Sequence, residues 1–149
     1  MDIVAAAETT NRPITTLADG GVKNSGDVVK ALASGATACM IGNILSGTEE
    51  CPGRKYRDGN SLYKVYRGQA SKAAQEDWKG YATSIEGEMK RVPYKGSVRD
   101  VFKELIAGIL SGFSYQNARN LHELYENAVF IKQSSRGYIE STPHGISSP

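Results

Sequence analysis

The chain has 149 residues and a formal net charge of +2 at neutral pH, with 40% hydrophobic and 23% charged residues. This is the size and composition of one globular domain, and so small a net charge argues against a nucleic-acid partner or an anionic membrane surface. No apolar run approaches the roughly 20 residues that span a bilayer, and the first residues lack the features of a secretion signal. We therefore expect a cytoplasmic protein without membrane or nucleic-acid partners.

The first third of the chain predicts a strand, a helix and a strand. Residues 2–8 are rich in alanine and predict a preceding helix, which Asn11-Arg12-Pro13 ends. Two short apolar runs then predict strands, at Ile14 to Ala18 and at Ala36 to Ile41, with a helix between them at Ser25 to Ser34. Strands joined in this way by a right-handed crossover are expected to be parallel neighbours, so that their carboxyl ends lie at one edge of the sheet.

The helix between the two strands has recognisable end signals. Ser25 occupies the N-cap position, Asp27 lies in the first turn, and Gly35 closes the helix. Its apolar residues lie on one face, which consists of Val28, Val29, Leu32 and Ala33.

Each predicted strand ends in a polar corner that contains glycine. Glycines at such an edge let a ligand oxygen approach backbone N–H groups, and the carboxylate of Asp19 accepts hydrogen bonds, as vicinal sugar hydroxyls require. Barrel enzymes often bind phosphate at the loops after their last two strands. The corners therefore predict a nucleoside monophosphate site, although a plain turn is the alternative for each. Ribose would lie at Asp19 and phosphate at Gly21, Gly42 and Asn43.

The middle of the chain is more polar. A turn at Asp58-Gly59 precedes Ser61 to Arg67, whose alternating pattern predicts an edge strand. Residues Gln69 to Trp78 can form a short helix. Tyr81 to Lys90 is flanked by glycine and has no periodicity, which predicts a mobile flap.

Two helices are predicted in the C-terminal half. The first runs from Ser97, as N-cap, to Gly112, as its end. The second, Asn117 to Asn127, is expected to bury Ala118, Leu121, Leu124 and Tyr125. The apolar face of the first helix consists of Val98, Val101, Phe102, Leu105, Ile106 and Ile109.

Two shorter segments follow these helices, and the chain contains two cysteines. Val129 to Ile131 predicts a short strand, and residues 134–149, rich in Ser, Gly and Pro, predict a tail. The two cysteines, Cys39 in a predicted strand and Cys51 in the following loop, make neither a disulfide framework nor a zinc site.

The order of motifs along the chain resembles one enzyme family. The block ADGGVKNSGDVVKALASGATACMIGNILSGTEECPG looks like the last two strands of the catalytic barrel of the IMP dehydrogenase and GMP reductase family. It is followed, in the family's order, by YRGQASK, EGEMKRVPYKGSV, AGILSGFSYQNARNLHEL and ESTPHG. The resemblance covers about residues 14–145. It implies an α/β fold that is the C-terminal portion of a TIM (β/α)8 barrel.

The resemblance also implies how the chain is organised. Residues 1–149 would form a C-terminal fragment of the family's catalytic domain, with a flap at about residues 72–92 and a tail at about residues 134–149. Two parallel strands and a few helices cannot close a barrel, so the chain looks like the last third of a larger catalytic domain.

Matching positions carry the family's substrate-binding roles onto this chain. Asp19 would hold the ribose hydroxyls. Asn43 stands where the family more often has Ser or Gly, and Gln69 replaces the customary Met, which exchanges an apolar base contact for an amide. The residues that would line the phosphate and the purine edge are Gly20, Gly21, Gly42, Asn43, Tyr66, Gly68, Gln69, Ala70 and Ser71.

Further matches concern catalysis, cofactor and cation. Glu86 matches the flap glutamate that orders a water molecule and relays a proton during chemistry at the purine C2. Ser114 and Tyr115 match the region that approaches the nicotinamide cofactor in the reductases. Solvated or packed side chains are the plain alternative in each case. The residues that match a monovalent-cation site, such as one for K+, are Glu140, Ser141 and His144.

The family resemblance limits what this chain can do alone. Family members attack C2 with a cysteine on the loop after the sixth strand, which would precede Met1. Neither Cys39 nor Cys51 matches that loop. The chain alone is therefore expected to be inactive. The complete enzyme is expected to form a homotetramer, as the resemblance implies.

The flap region indicates which reaction to expect. Between Ser71 and Pro93 the chain has 21 residues and no Arg-Tyr pair, whereas IMP dehydrogenases carry a longer flap in which such an arginine acts as base. This favours a reductase that converts GMP to IMP with NADPH. The alternatives are NAD-dependent oxidation of IMP to XMP, and a non-catalytic remnant that only binds a purine monophosphate.

Overall fold

The computed structural model describes residues 2–67, 72–81 and 89–141. Helices and strands are mixed along these residues, and none of the described helices is long and apolar enough to cross a bilayer. In chain order the elements are α1 (Asp2–Glu8), β1 (Leu17–Asp19), α2 (Ser25–Ala33), β2 (Ala38–Met40), β3 (Lys55–Asp58), β4 (Ser61–Arg67), α3 (Lys72–Lys79), β5 (Met89–Pro93), α4 (Val98–Tyr115), α5 (Leu121–Asn127) and α6 (Ser135–Glu140).

The two predicted parallel strands are confirmed. β1 pairs with β2 in parallel, with Leu17 opposite Ala38 and Asp19 opposite Met40. Both strands are shorter than the apolar runs that predict them, mainly because β1 begins only at Leu17 and β2 only at Ala38. One further hydrogen bond, from the Thr37 N–H to the Thr16 carbonyl at 2.8 Å, continues the contact toward the start of the strands.

Helix α2 packs against α4 and α5, and the apolar face predicted for it is confirmed. One core cluster contains Val22, Val28 and Leu105. A second contains Ala33, Ala118 and Leu124, and the Leu124 side chain is completely buried. Burying a side chain of this size contributes about 2 kcal/mol to stability.

The start of α2 differs from the prediction. Its N-cap is Asn24, whose side-chain oxygen accepts a hydrogen bond from the Asp27 N–H at 2.9 Å. Ser25 is the first helical residue instead. A Cβ atom added to Gly108 of α4 would lie 2.2 Å from the Ser25 hydroxyl oxygen, so Ser25 is used in helix packing and not as a cap.

Helix α4 confirms the predicted start but not the predicted end. The Ser97 hydroxyl accepts a hydrogen bond from the Arg99 N–H at 3.2 Å, as an N-cap does. The helix continues through Gly112 to Tyr115. Gly112 lies against α2, where an added Cβ would be 2.6 Å from a Val29 methyl group, so this glycine serves close packing.

The buried face of α4 is narrower than the sequence predicts. Leu105 is buried and Ile109 packs against its cluster. By contrast, Phe102 and Ile106 are exposed, at 39% and 51% of their surface. Helix α2 covers only one flank of α4, and these two side chains lie outside that contact.

The helix predicted at Asn117 to Asn127 begins later, at Leu121. Asn117 has a positive φ of 49° and Asn120 is the N-cap, so the residues before Leu121 form a turn. Leu121 was expected to be buried but is 42% exposed, while Ala118 and Leu124 are buried as predicted. Tyr125 is half-buried.

The end of the described chain also differs from the prediction. Val129 to Ile131 is not a strand, and all three side chains are exposed. The predicted tail begins with helix α6, which Ser134 caps. Three apolar residues without a strand partner cannot form a ladder by themselves.

A three-stranded antiparallel sheet, in the order β3-β4-β5, follows the parallel pair. Strand β4 was expected at an edge but lies in the centre. β3 and β5 were missed because they alternate charged residues with few apolar ones. Their cross-strand contacts include Tyr56 stacked on Tyr63, with ring centroids 5.5 Å apart, and Arg91 over the Tyr63 ring at 4.8 Å.

The flap and the helix before it are partly described. Helix α3 (Lys72–Lys79) confirms the short helix predicted in this region. The flap prediction at Tyr81 to Lys90 falls largely on residues 82–88, which lie outside the described residues, and Met89 and Lys90 already belong to β5.

Candidate functional site

The first corner follows β1 directly. Gly20 and Gly21 have positive φ angles of 86° and 74°, which residues with a side chain rarely adopt. A Cβ atom added at either position would meet nothing within 4 Å, so the space beside both glycines is open. The Asp19 side chain, at the last position of β1, is exposed at the same edge. The corner therefore offers a carboxylate and an uncrowded backbone to a ligand.

The second corner starts a helical turn. The Leu45 N–H donates to the Gly42 carbonyl at 3.0 Å, and the Ser46 N–H donates to the Asn43 carbonyl at 3.2 Å. A helical turn leaves its first N–H groups without a partner inside the turn, and such groups bind anions. The buried Ser46 hydroxyl also donates to the Asn43 carbonyl at 2.6 Å, which fixes the turn.

The strand register brings the two corners together. Asp19 and Met40 are paired partners, so Gly20-Gly21 and Gly42-Asn43 leave neighbouring strands at the same edge. Neighbouring strands lie about 4.8 Å apart, a distance that one phosphoribosyl group can bridge. The structure thus brings together the five residues predicted at these two corners.

Tyr66 reaches the second corner from the other sheet. Its hydroxyl oxygen lies 3.9 Å from the position that a Cβ on Gly42 would occupy. The Lys90 ammonium lies over the Tyr66 ring, 5.8 Å from its centroid. The Tyr66 side chain is half-buried in β4. A hydroxyl donor from the antiparallel sheet therefore lies beside the backbone of the corner that follows β2.

Behind the second corner, the loop at residues 48–51 is anchored by a buried lysine. Lys64 is only 3% exposed, and its ammonium donates to the carbonyls of Thr48 at 2.8 Å, Glu49 at 3.0 Å and Cys51 at 2.5 Å. Lys64 is not among the site residues predicted from the sequence. Its only signal is a lysine at an alternating position of a strand pattern, which is also typical of a solvent-facing side chain.

Two glutamates fasten the same loop to its surroundings. Glu49 accepts a hydrogen bond from the Tyr94 hydroxyl. The Lys55 ammonium also donates to both Glu49 carboxylate oxygens, at 2.9 and 3.0 Å. These bonds lower the pKa of Glu49, and the Glu49 carboxylate raises the pKa of Tyr94 and of Lys55.

Glu50 links the loop to the start of α4. It accepts hydrogen bonds from the Val98 N–H at 2.7 Å and from the Ser97 hydroxyl at 3.0 Å. The bond from the Val98 N–H is the main cause that lowers the pKa of Glu50. The carboxylate thus caps a helix whose N-terminus favours negative charge.

The predicted cofactor residues lie elsewhere. Ser114 and Tyr115 occupy the last turn of α4, and the Tyr115 side chain is 86% exposed. An 18-residue helix is about 27 Å long. Since the start of α4 is bonded to the loop behind the second corner, the two residues are not brought to the corners.

Two of the predicted cation-site residues lie in the described part of the chain. Glu140 ends α6 and Ser141 is its C-cap. No group of three or more His, Cys, Asp or Glu side chains suited to a metal ion occurs within residues 2–67, 72–81 and 89–141. The residues that lie outside the described part of the chain are Gly68, Gln69, Ala70, Ser71, Glu86 and His144.

Comparison with known sequences supports the family resemblance. The model of the IMP dehydrogenase / GMP reductase domain matches residues 1–144. An inosine-5'-monophosphate dehydrogenase from Aquifex aeolicus is 43% identical, over 98% of this chain and 31% of its own length. The same enzyme from Nitrosopumilus maritimus is 41% identical, over 89% of this chain and 30% of its own length.

A solved structure supports the fold. GMP reductase from Trypanosoma brucei, in complex with guanosine 5'-monophosphate, superposes with a TM-score of 0.86 and 33% sequence identity, over 97% of this chain and 30% of that one. The chain thus spans about a third of the length of these relatives. It belongs to the IMP dehydrogenase and GMP reductase family of oxidoreductases, and its fold corresponds to the C-terminal portion of that family's barrel.

Proposed function

We propose that residues 1–149 form a C-terminal fragment of a purine nucleotide oxidoreductase, and that the two corners bind the ribose and phosphate of the substrate. The observation that carries this proposal is the register of β1 and β2, which places Asp19 and both glycine corners at one edge. An acceptor for two hydroxyls beside a set of free N–H groups matches the chemistry of a ribose 5'-phosphate.

Each residue at this edge has a distinct role. The Asp19 carboxylate accepts hydrogen bonds from the ribose hydroxyls, while the N–H groups of Gly21, Gly42 and Asn43 donate to the phosphate. The Tyr66 hydroxyl adds a further donor from β4, and Gly20 keeps the corner free of a side chain. The adjoining segment that would complete the phosphate and purine contacts consists of Gly68, Gln69, Ala70 and Ser71.

The proposed reaction is the reductive deamination of GMP to IMP. The 2-amino group leaves as ammonia, and NADPH supplies a hydride to C2 when it is bound. Glu86 would relay the proton. The short stretch between Ser71 and Pro93 supports this choice.

Ser114 and Tyr115 are proposed to contact the cofactor. The exposed aromatic ring of Tyr115 suits stacking on a planar ring, and Ser114 offers a hydroxyl beside it. Because both lie far from the corners along α4, the contact would be made to a neighbouring subunit of a homotetramer. A monovalent cation near Glu140, Ser141 and His144 would suit the carbonyl end of α6, where positive charge is favoured.

A second candidate is the NAD-dependent oxidation of IMP to XMP. It is favoured by the names of the relatives that are 41–43% identical, which are IMP dehydrogenases. A third candidate is a fragment that binds a purine monophosphate without catalysis, in the cytoplasm like the enzymes.

A pair of spectrophotometric assays separates these candidates, with the chain as part of a complete barrel. Oxidation of NADPH in the presence of GMP, with release of ammonia, would establish the reductase. Reduction of NAD in the presence of IMP would establish the dehydrogenase instead. Absence of both reactions, together with measurable GMP binding, would leave only the non-catalytic role.

A further inference from the structure

Lys64 is unusual among the lysines of the described chain because its ammonium group is buried. Lysine is rarely fully buried unless it is paired, since removing a charge from water is costly. Here three main-chain carbonyls, those of Thr48, Glu49 and Cys51, replace the water molecules. An ammonium has three donor hydrogens, so every donor of Lys64 is used within one loop.

The position of Lys64 connects the two halves of the candidate site. Successive side chains of a strand point to opposite faces, so Lys64 and Tyr66 share one face of β4. The loop that Lys64 holds begins directly after the helical turn of the second corner. Lys64 therefore connects β4, the strand that carries Tyr66, with the loop that follows the Gly42 corner in the chain.

The neighbouring contacts do not duplicate this connection. Lys55 is the cross-strand partner of Lys64 and also binds the loop, but it does so through the exposed Glu49 carboxylate. That exposed ion pair is screened by solvent and holds a flexible side chain. Lys64 instead holds the backbone itself, in a water-excluded position.

We infer that Lys64 is a positioning residue of the phosphate site, which fixes the Tyr66 hydroxyl relative to the second corner. The inference rests on the proposed binding of a purine monophosphate. It predicts that Lys64 matters for the 5'-phosphate and not for the nucleoside, because the groups that it holds in place, Tyr66 and the backbone after Gly42, belong to the phosphate end of the site.

The test compares GMP with guanosine. Dissociation constants are measured by calorimetry for the full chain, for Lys64→Met and for the matched control Lys55→Met. We expect Lys64→Met to raise the dissociation constant for GMP about tenfold, with a change of less than about twofold for guanosine and for both ligands in the control. Equal losses for GMP and guanosine would make Lys64 a structural residue only and overturn the inference.

A measurement on the unmodified chain covers the case in which Lys64→Met does not fold. A buried ammonium exchanges its protons slowly, so the Lys64 signal can be followed by NMR in chain labelled with 15N-lysine. We expect GMP to shift this signal and guanosine to leave it in place, and an unmoved signal with GMP bound would overturn the inference. If the unmodified chain shows no preference for GMP over guanosine, the proposed function fails as well.

Discussion

The Tyr66 hydroxyl oxygen lies 3.9 Å from the position that a Cβ on Gly42 would occupy. Tyr66 belongs to β4 and Gly42 to the corner after β2, and the two residues are 24 positions apart in the sequence. A Cβ at this distance would make an ordinary van der Waals contact, so the Tyr66 hydroxyl bounds the space beside the backbone of the second corner.

Removing that hydroxyl should weaken nucleotide binding without unfolding the chain. Tyr66→Phe loses one hydrogen bond to a charged group, which is worth about 1.5–3 kcal/mol, so the dissociation constant for GMP should rise at least tenfold. Calorimetric titration measures it. The control is Tyr63→Phe, on the opposite face of β4, where the ring stacks on Tyr56. A comparable loss in both variants would contradict the assignment of Tyr66.

Asp19 is predicted to hold the ribose. GMP or IMP should raise the melting temperature of the chain, and Asp19→Ala should abolish the rise, because the ribose hydroxyls lose their acceptor. Differential scanning fluorimetry measures the shift. Asp58→Ala is the control, since Asp58 is an exposed aspartate that pairs with Arg91 at 3.4 Å. An unchanged response in the Asp19 variant would refute the ribose assignment.

Gly108 is predicted to be required for the packing of α2 on α4. An alanine Cβ there would lie 2.2 Å from the Ser25 hydroxyl and 2.6 Å from its Cβ, so the helices must move apart. We expect a loss of about 1–3 kcal/mol in the free energy of unfolding, although alanine favours a helix by about 1 kcal/mol. Urea denaturation measures it.

The matched control for this prediction is Gly137→Ala. Gly137 is also helical, but the nearest atom to an added Cβ is the flexible Gln133 side chain at 3.1 Å. This variant should therefore be neutral or slightly stabilised. Equal stability of both alanine variants would show that the α2–α4 contact tolerates separation.

Glu50 is predicted to make stability depend on acid pH. Its pKa lies below the ordinary value of 4.5 in the folded chain, mainly because of the Val98 N–H. Its contribution is therefore complete above the unfolded pKa and is lost as the pH falls through the folded pKa. Glu50→Gln should flatten the fall in melting temperature below pH 4.5, and it should melt earlier than the parent at pH 7.

Glu104→Gln is the control for the pH measurement, because Glu104 is an exposed glutamate on the same helix. It should follow the parent curve. A Glu50 variant with an unchanged acid slope would show that the cap at Val98 adds no pH-dependent stability.

The sequence by itself determined the parallel strand pair, the helix between them and the two glycine corners. These are local features: a short apolar run, an amphipathic period and a glycine each specify their conformation through neighbouring residues. The same holds for Ser97, where the cap is made within three residues. The family resemblance predicted that these elements belong to the C-terminal portion of a barrel, and the comparisons with known proteins confirmed that fold.

Only the tertiary structure decided features that depend on residues far apart in the chain. Strand β4 lies in the centre because β3 and β5 pair with it, and neither has a clear apolar pattern of its own. Gly112 lies within its helix and gives Val29 of α2 the space to pack, while Asn24 is the cap of α2 and Ser25 packs against Gly108 of α4. Lys64 is buried because a loop 13 to 16 residues away offers it three carbonyls, and no local pattern predicts such a contact.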